Sequence, residues 1–358
     1  MRRTITLKGL AAAASTVALL TLAGCSNGGA SSDGAEVNII AYSGVWEEQY
    51  RKAVIDPFQD AHPDIKINYV SKRSSAEMLS ALQGQQGKPM TDVSIMDISV
   101  STSGNNQEIF EKLTEEQVPN LARVKDEFRN ADGFGPAVNV DAVALLYDTA
   151  VVGEAPTSWS ILWEPEYKGK VSVVAPPSLL GISLTAIAST MEGEDYMQSI
   201  DKATAKLVEL APNISSFAPN PDEYQSIITG QTVFGLGQNG RGQYYADESG
   251  GKLGVAFPEE GTAYQINTIN LVKDAPNAEA ATTFIDYALS AEAQTAFAEA
   301  LFYAPTVDNA TLSDDVASRV VPTDGSLNII PLDVNFLAAN RDAWTDMWKR
   351  MVIPASQG

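Results

Sequence analysis

Past its first three dozen residues, the chain alternates short apolar runs with longer stretches whose apolar residues recur three or four positions apart. Val37-Asn38-Ile39-Ile40-Ala41-Tyr42 reads as a buried strand. Trp46, Tyr50, Ala53, Val54 and Phe58 then fall on one face of a helix. Pro63 breaks that pattern, and residues 65–70 form a second strand. A helix at 77–83 and a strand at 93–96 come next. Further on, 171–175 and 233–237 read as strands, and 179–191 and 196–210 as helices. Ala281, Phe284, Ile285, Ala288 and Leu289 make another helical stripe, as do Phe336, Trp344, Met347, Trp348 and Met351 near the end. Strands alternating with helices imply βαβ units and a mainly parallel sheet. The predicted class is α/β, in two lobes, with no repeat at solenoid or propeller periods.

The first 35 residues have a different texture. Arg2, Arg3 and Lys8 precede an apolar run over 9–24. The run is short of the roughly 20 residues a spanning helix needs, and its flanks are those of a signal peptide. It ends in Leu22-Ala23-Gly24-Cys25, which resembles the lipobox of bacterial lipoproteins, whose cysteine is acylated and becomes the new N-terminus. The Arg2-Arg3 pair leaves Sec and twin-arginine export both open. Residues 26–35 are small, polar and rich in Gly and Ser, as in a flexible tether. The expected organisation is a signal peptide at 1–24 and a lipid-anchored linker at 25–35, with the protein on the outer face of the cell membrane or in the periplasm.

Charge and cysteine content narrow the function. Cys25 is the one cysteine, so no internal disulfide is available. The net charge of −21 argues against nucleic acid, whose phosphates demand basic neutralisation. There is no G-x-S-x-G and no H-E-x-x-H, and the one histidine, His62, sits in a turn-like Ala-His-Pro-Asp. Glu259 and Glu260 could pair as acid and base but, adjacent on one loop, read as structural. No enzyme and no cofactor is expected. A secreted hydrolase or a structural envelope lipoprotein is the alternative from another class.

Three motifs carry a resemblance. Pro156-Thr157-Ser158-Trp159-Ser160-Ile161-Leu162-Trp163-Glu164-Pro165-Glu166-Tyr167-Lys168-Gly169-Lys170-Val171 resembles the signature P-x-S-W-x-x-L-W-x-P-x-Y-K-G-K-V. Pro258-Glu259-Glu260-Gly261-Thr262 resembles P-E-E-G-T. Lys273-Asp274-Ala275-Pro276-Asn277, then a helix, then Tyr303-Ala304-Pro305-Thr306, matches the stretch that comes after P-E-E-G-T in the same proteins. These are the type 2 periplasmic solute-binding proteins of ABC importers, in the branch holding the spermidine/putrescine and ferric-iron binders. The resemblance implies a two-lobe fold with a ligand cleft between lobes, permease subunits as partners, a small-molecule solute and a monomer. It implies crossings near 140–146 and 264–271, giving one lobe of 36–142 plus 266–312 and another of 143–265 plus 313–358. Whether the C-terminal segment returns to the first or the second lobe stays open in the pattern itself.

The same resemblance suggests cleft residues. Ser43, Gly44 and Trp46 lie at a strand-to-helix turn that faces the cleft in the family, and Asp97 and Ser99 follow the third strand. Trp159 and Trp163, four apart, read as core. The family's paired acids fall here on Pro176 and Leu179. Its Trp-x-Asp becomes Gln265-Ile266-Asn267 beside Tyr264, and the tryptophan before Asn239-Gly240 becomes Gln238. Most of the charge that would hold a polyamine is therefore absent. Gly235 to Gly240 matches G-x-G-x-x-G, read as a tight turn whose free backbone N–H groups, with Arg241 beside them, suit a carboxylate or phosphonate. An amine end would sit near Asp97. Tyr244 and Tyr245 offer an alternative ferric-iron reading as phenolate ligands.

Overall fold

The computed structural model describes residues 35–220 and 222–357. The signal-like run and Cys25 lie outside the described residues. Nine strands are described: β1 (Ala35–Tyr42), β2 (Ile65–Lys72), β3 (Val93–Asp97), β4 (Ala137–Asp148), β5 (Val171–Ser172), β6 (Ile214–Ser216), β7 (Phe234–Gln238), β8 (Leu253–Ala256) and β9 (Tyr264–Leu271). Their order is β2-β1-β3-β9-β4-β7-β5-β6, with β8 on β4. β1 lies parallel to β2 and β3, and β5 parallel to β6 and β7, as βαβ connections require.

β4 joins the halves. Its first part pairs antiparallel with β9, as far as Ala142 against Tyr264. From Val143 onward it pairs with β7 instead, and from Leu145 with β8 as well. Eleven of its twelve residues are buried; residues 142–147 form an apolar run, and the polar Asn139 and Asp141 before it are hydrogen-bonded.

Two apolar cores flank this strand, one for each lobe. The first gathers Ile39, Trp46, Phe58, Ile95, Val140 and Phe284. The second gathers Leu145, Trp159, Ile187, Leu207, Phe234 and Trp348. Helix α1 (Val45–Tyr50) continues through a π-helical turn at Arg51–Ile55 into Asp56–Ala61, burying the predicted stripe. Later helices include α2 (Ser75–Gln83), α3 (Ile98–Asn106), α4 (Leu179–Met191), α5 (Asp201–Leu210), α6 (Glu223–Ile228), α7 (Asn239–Glu248), α8 (Ala278–Ala288), α9 (Ala291–Leu301) and α10 (Val334–Met347).

Two elements differ from the sequence reading. The helix predicted over 196–210 begins at Asp201. The Glu194 carboxylate takes the Lys202 and Ala203 N–H groups, 3.1 and 3.0 Å away, and so fixes the start. Tyr196 meanwhile turns away, its hydroxyl donating to the Pro331 carbonyl at 2.8 Å. Strand β5 ends at Ser172, although Val173 and Ala175 still donate to Ser216 and Phe217 across a loosened ladder. Trp159 and Trp163 pack with the second core, their indole N–H groups donating to the Gly261 and Lys206 carbonyls. The C-terminal helix α10 lays Leu337 and Trp344 into the second core, while its other side packs on α3.

Candidate functional site

The carboxyl ends of β1, β3 and β7 meet at one crevice between the two cores, the position at which open α/β sheets take ligands. Gly44, at the β1–α1 turn, has φ of 73°, a left-handed conformation that favours glycine. An inner cavity of about 70 Å³ is walled by Tyr42, Ser75, Asp97, Gln238, Arg241 and Arg341, with Arg73 at its edge. A second, of about 320 Å³, shares Gln238, Arg241 and Arg73 and adds Ser43, Gly44 and Glu223. Gly44 and Tyr245 carry the crevice outward to a cavity of about 710 Å³ that also holds Tyr244, Glu48 and Glu248.

Arg241 is the central charge. It sits in the first turn of α7, and its Nε is buried with no hydrogen-bond partner. Burial works against its charge, but the phenols of Tyr303 and Tyr224, the Glu223 carboxyl and Tyr42 favour it more strongly. Guanidinium stays protonated in any case. An unsatisfied buried N–H of this kind is rare in a folded protein and calls for an acceptor.

Of the backbone N–H groups expected to be free beside Arg241, two have partners within the protein. The Gly240 N–H donates to the buried Asp141 carboxylate at 2.9 Å, and the Gln238 N–H donates to the Tyr224 hydroxyl at 2.7 Å. The glycines serve close packing. A Cβ on Gly237 would lie 2.6 Å from Leu146, and one on Gly240 would lie 2.5 Å from the Leu301 carbonyl.

Asp97 does not stand free for an amine either. It caps α3 by accepting from the Ser99 N–H at 3.0 Å, takes the Ser99 hydroxyl, and lies 3.7 Å from the Arg341 guanidinium. Arg341 also donates to Ser99 Oγ and, at 2.6 Å, to the Pro177 carbonyl before α4. One side chain from α10 thus spans from the β3–α3 turn to the β5–α4 loop.

Other expected contacts fall outside the cavities. Trp46 is 0% exposed, stacked on Tyr50 with centroids 4.5 Å apart and edge-on to Phe297. The apolar stripe of α1 carries it into the first core, so it does not face the crevice. Asn239 is buried, its amide donating to the Arg319 carbonyl at 2.9 Å. Tyr264 donates to the Pro322 carbonyl at 2.7 Å. Asn267 accepts from Tyr42 at 2.9 Å and donates to Asn139 at 2.8 Å, so it braces Tyr42 from beneath. Ser43, Gly44, Asp97, Gln238 and Arg241 are brought together, and Ser99 joins them through Arg341.

Sequence reasoning missed Tyr42, Arg73, Glu223, Tyr224 and Arg341. Arg73 follows the end of β2, and strand-end position was the signal for it. Glu223 reads as an ordinary first-turn acid and Arg341 as a solvated helix charge; nothing local marks either. Tyr244 accepts weakly from Gln49 at 3.5 Å, and Tyr245 leans on Tyr224 with centroids 5.1 Å apart. Burial raises both phenols, holding them protonated. Among the described residues no three His, Cys, Asp or Glu side chains cluster as metal ligands.

Comparison with known proteins agrees with this architecture. The family model of the bacterial extracellular solute-binding protein matches residues 53–346. A gamma-aminobutyric acid-binding protein of Pseudomonas aeruginosa is 25% identical over 281 residues, 75% of this chain and 76% of that one. The spermidine/putrescine-binding periplasmic protein 1 of Haemophilus influenzae is 26% identical over 263 residues, 71% and 72% of the two chains. In fold, a periplasmic binding protein of Actinobacillus pleuropneumoniae with bound fructose-6-phosphate superposes with TM-score 0.73 at 22% identity, covering 89% of this chain and 98% of that one. The chain belongs to the bacterial extracellular solute-binding proteins and has the two-lobe α/β fold of the periplasmic binding proteins.

Proposed function

We propose that this protein captures a small solute carrying a carboxylate, phosphonate or phosphate group and delivers it to its permease. The anionic group sits on Arg241. The observation that carries this reading is the buried, unpartnered Arg241 Nε in the crevice wall. Three arginines (Arg73, Arg241 and Arg341) line one cavity in a chain with 45 acidic and 24 basic residues. Cations concentrated there against the overall balance favour an anion. A polyamine needs the opposite arrangement, carboxylates at both ends. The names of the relatives point both ways, to an amino acid and to polyamines.

The lobes of this reading are 36–142 with 266–312, and 143–265 with 313–358. Closure brings Ser43, Gly44 and Gln238 onto the solute beside Arg241. Export removes residues 1–24, and acylated Cys25 anchors the linker 25–35 to the membrane. Radiolabelled fatty acid entering wild type and not Cys25→Ser tests the anchor; equal labelling would remove it.

A thermal-shift screen of residues 26–358 tests the ligand class, with carboxylates, aminophosphonates, sugar phosphates, polyamines and ferric citrate. A ligand at 100 times its Kd stabilises by about 2.7 kcal/mol, enough to move Tm by several degrees. A shift with anionic solutes is expected. A shift with spermidine or ferric citrate alone would overturn the proposal.

A further inference from the structure

We infer that Glu223 reads an ammonium group on the same solute, so that the crevice selects zwitterions with an amine beside the anion. This rests on the Arg241 reading and adds a second determinant to it. Glu223 opens α6, directly after the cap Asp222, and is only 6% exposed. Its Cβ lies 3.3 Å from where a Cβ on Gly235, near the start of β7, would stand. It lines the 320 Å³ cavity together with Arg241. No hydrogen bond or ion pair is found between its carboxylate and another described residue; its own backbone N–H and the charge of Arg241 favour its ionised form. A buried carboxylate left so is costly unless a cation meets it. Arg241, whose Nε is unpartnered, and Glu223 therefore form a dipolar pair that a zwitterion's opposite ends complete.

Asp97 cannot take this role, because Arg341 and Ser99 already occupy it. Glu223 has no such competitor. Burial pushes its carboxyl up to about 7, with the neighbouring Asp222 adding to the rise and Arg241 opposing it. The other charged or titratable groups around that cavity are Arg73, Tyr224 and Tyr245. An ammonium ligand favours ionised Glu223, so binding an amine below pH 7 must expel a proton. Affinity for the amine-bearing solute then falls as pH drops through 7, while affinity for an amine-free anion does not follow.

The test is calorimetric titration with matched pairs: 4-aminobutyrate against butyrate, and 2-aminoethylphosphonate against ethylphosphonate. Wild type is expected to favour the amine member of at least one pair tenfold or more at pH 8. Glu223→Gln is expected to erase that preference, and an unliganded Tm within a few degrees of wild type shows that the variant folds. The preference in wild type is expected to shrink at pH 5.5. Equal binding of both members by wild type, or a preference that survives in Glu223→Gln, would overturn the inference and leave Arg241 standing. Binding of no member of either pair would overturn the inference, while the Arg241 reading is decided by the wider screen of anionic solutes.

Discussion

Asp141 accepts the Gly240 and Ala142 N–H groups at 2.9 and 2.8 Å, and so ties the start of α7, which carries Arg241, to the shared strand β4. Burial pushes its carboxyl up to about 7 despite those two bonds. The folded-state value lies above the ordinary carboxylate range, so the native chain holds this proton more tightly than the unfolded one. Its contribution to stability is full below about pH 4 and is lost as pH climbs towards 7. Asp141→Asn keeps an acceptor for one N–H and cannot titrate. Its Tm is expected to be lower at pH 5 yet to fall less between pH 5 and 8 than that of wild type; parallel profiles would exclude this role. The glycine-rich spacing around Arg241 was legible, but its purpose was not. The groups that use its N–H atoms, Asp141 and Tyr224, lie 99 and 14 residues away, and spacing alone does not show partners. Trp46 was misassigned for a related reason: its turn faces the crevice, while the helical stripe beginning there faces the core.

Strands and helices were legible wherever period and burial agree. β1, β2, β3 and β7 and the stripe of α8 come directly from apolar period and run length. The late start of α5 was not visible, since a carboxylate outside the apolar pattern sets it. Helix α10 shows both sides of this limit. Its packing face was plain, but Arg341, on the other side, reads as solvent charge until α3 and the β5–α4 loop are seen against it. Its side chain is 13% exposed and bridges groups that belong to the two lobes. Arg341→Ala removes that bridge and leaves the buried Asp97 without its cation, a loss of about 1–3 kcal/mol. The unliganded variant is expected to open, with a larger radius of gyration by small-angle scattering than unliganded wild type. An unchanged radius would show that Arg341 does not hold the crevice closed.

At the scale of the molecule, two cores share one strand, and the charged groups that neither core absorbs collect where they face each other. Such a frame lets hinge closure enclose a solute with a few polar contacts. The frame was readable from the Trp159–Trp163 motif and the strand–helix alternation. The choice of solute was not, because Arg73, Glu223, Arg241 and Arg341 come from four segments spread over nearly 270 positions of sequence. The central claim is that Arg241 holds the solute's anion. Calorimetric titration of the best anionic solute into wild type and Arg241→Ala addresses it most directly. Losing a charge-assisted contact in a crevice of this kind costs about 2–4 kcal/mol, which is a loss of affinity of roughly thirtyfold or more. That loss, in a variant whose unliganded Tm is kept within a few degrees, is the expected result. Undiminished affinity in Arg241→Ala would contradict the account.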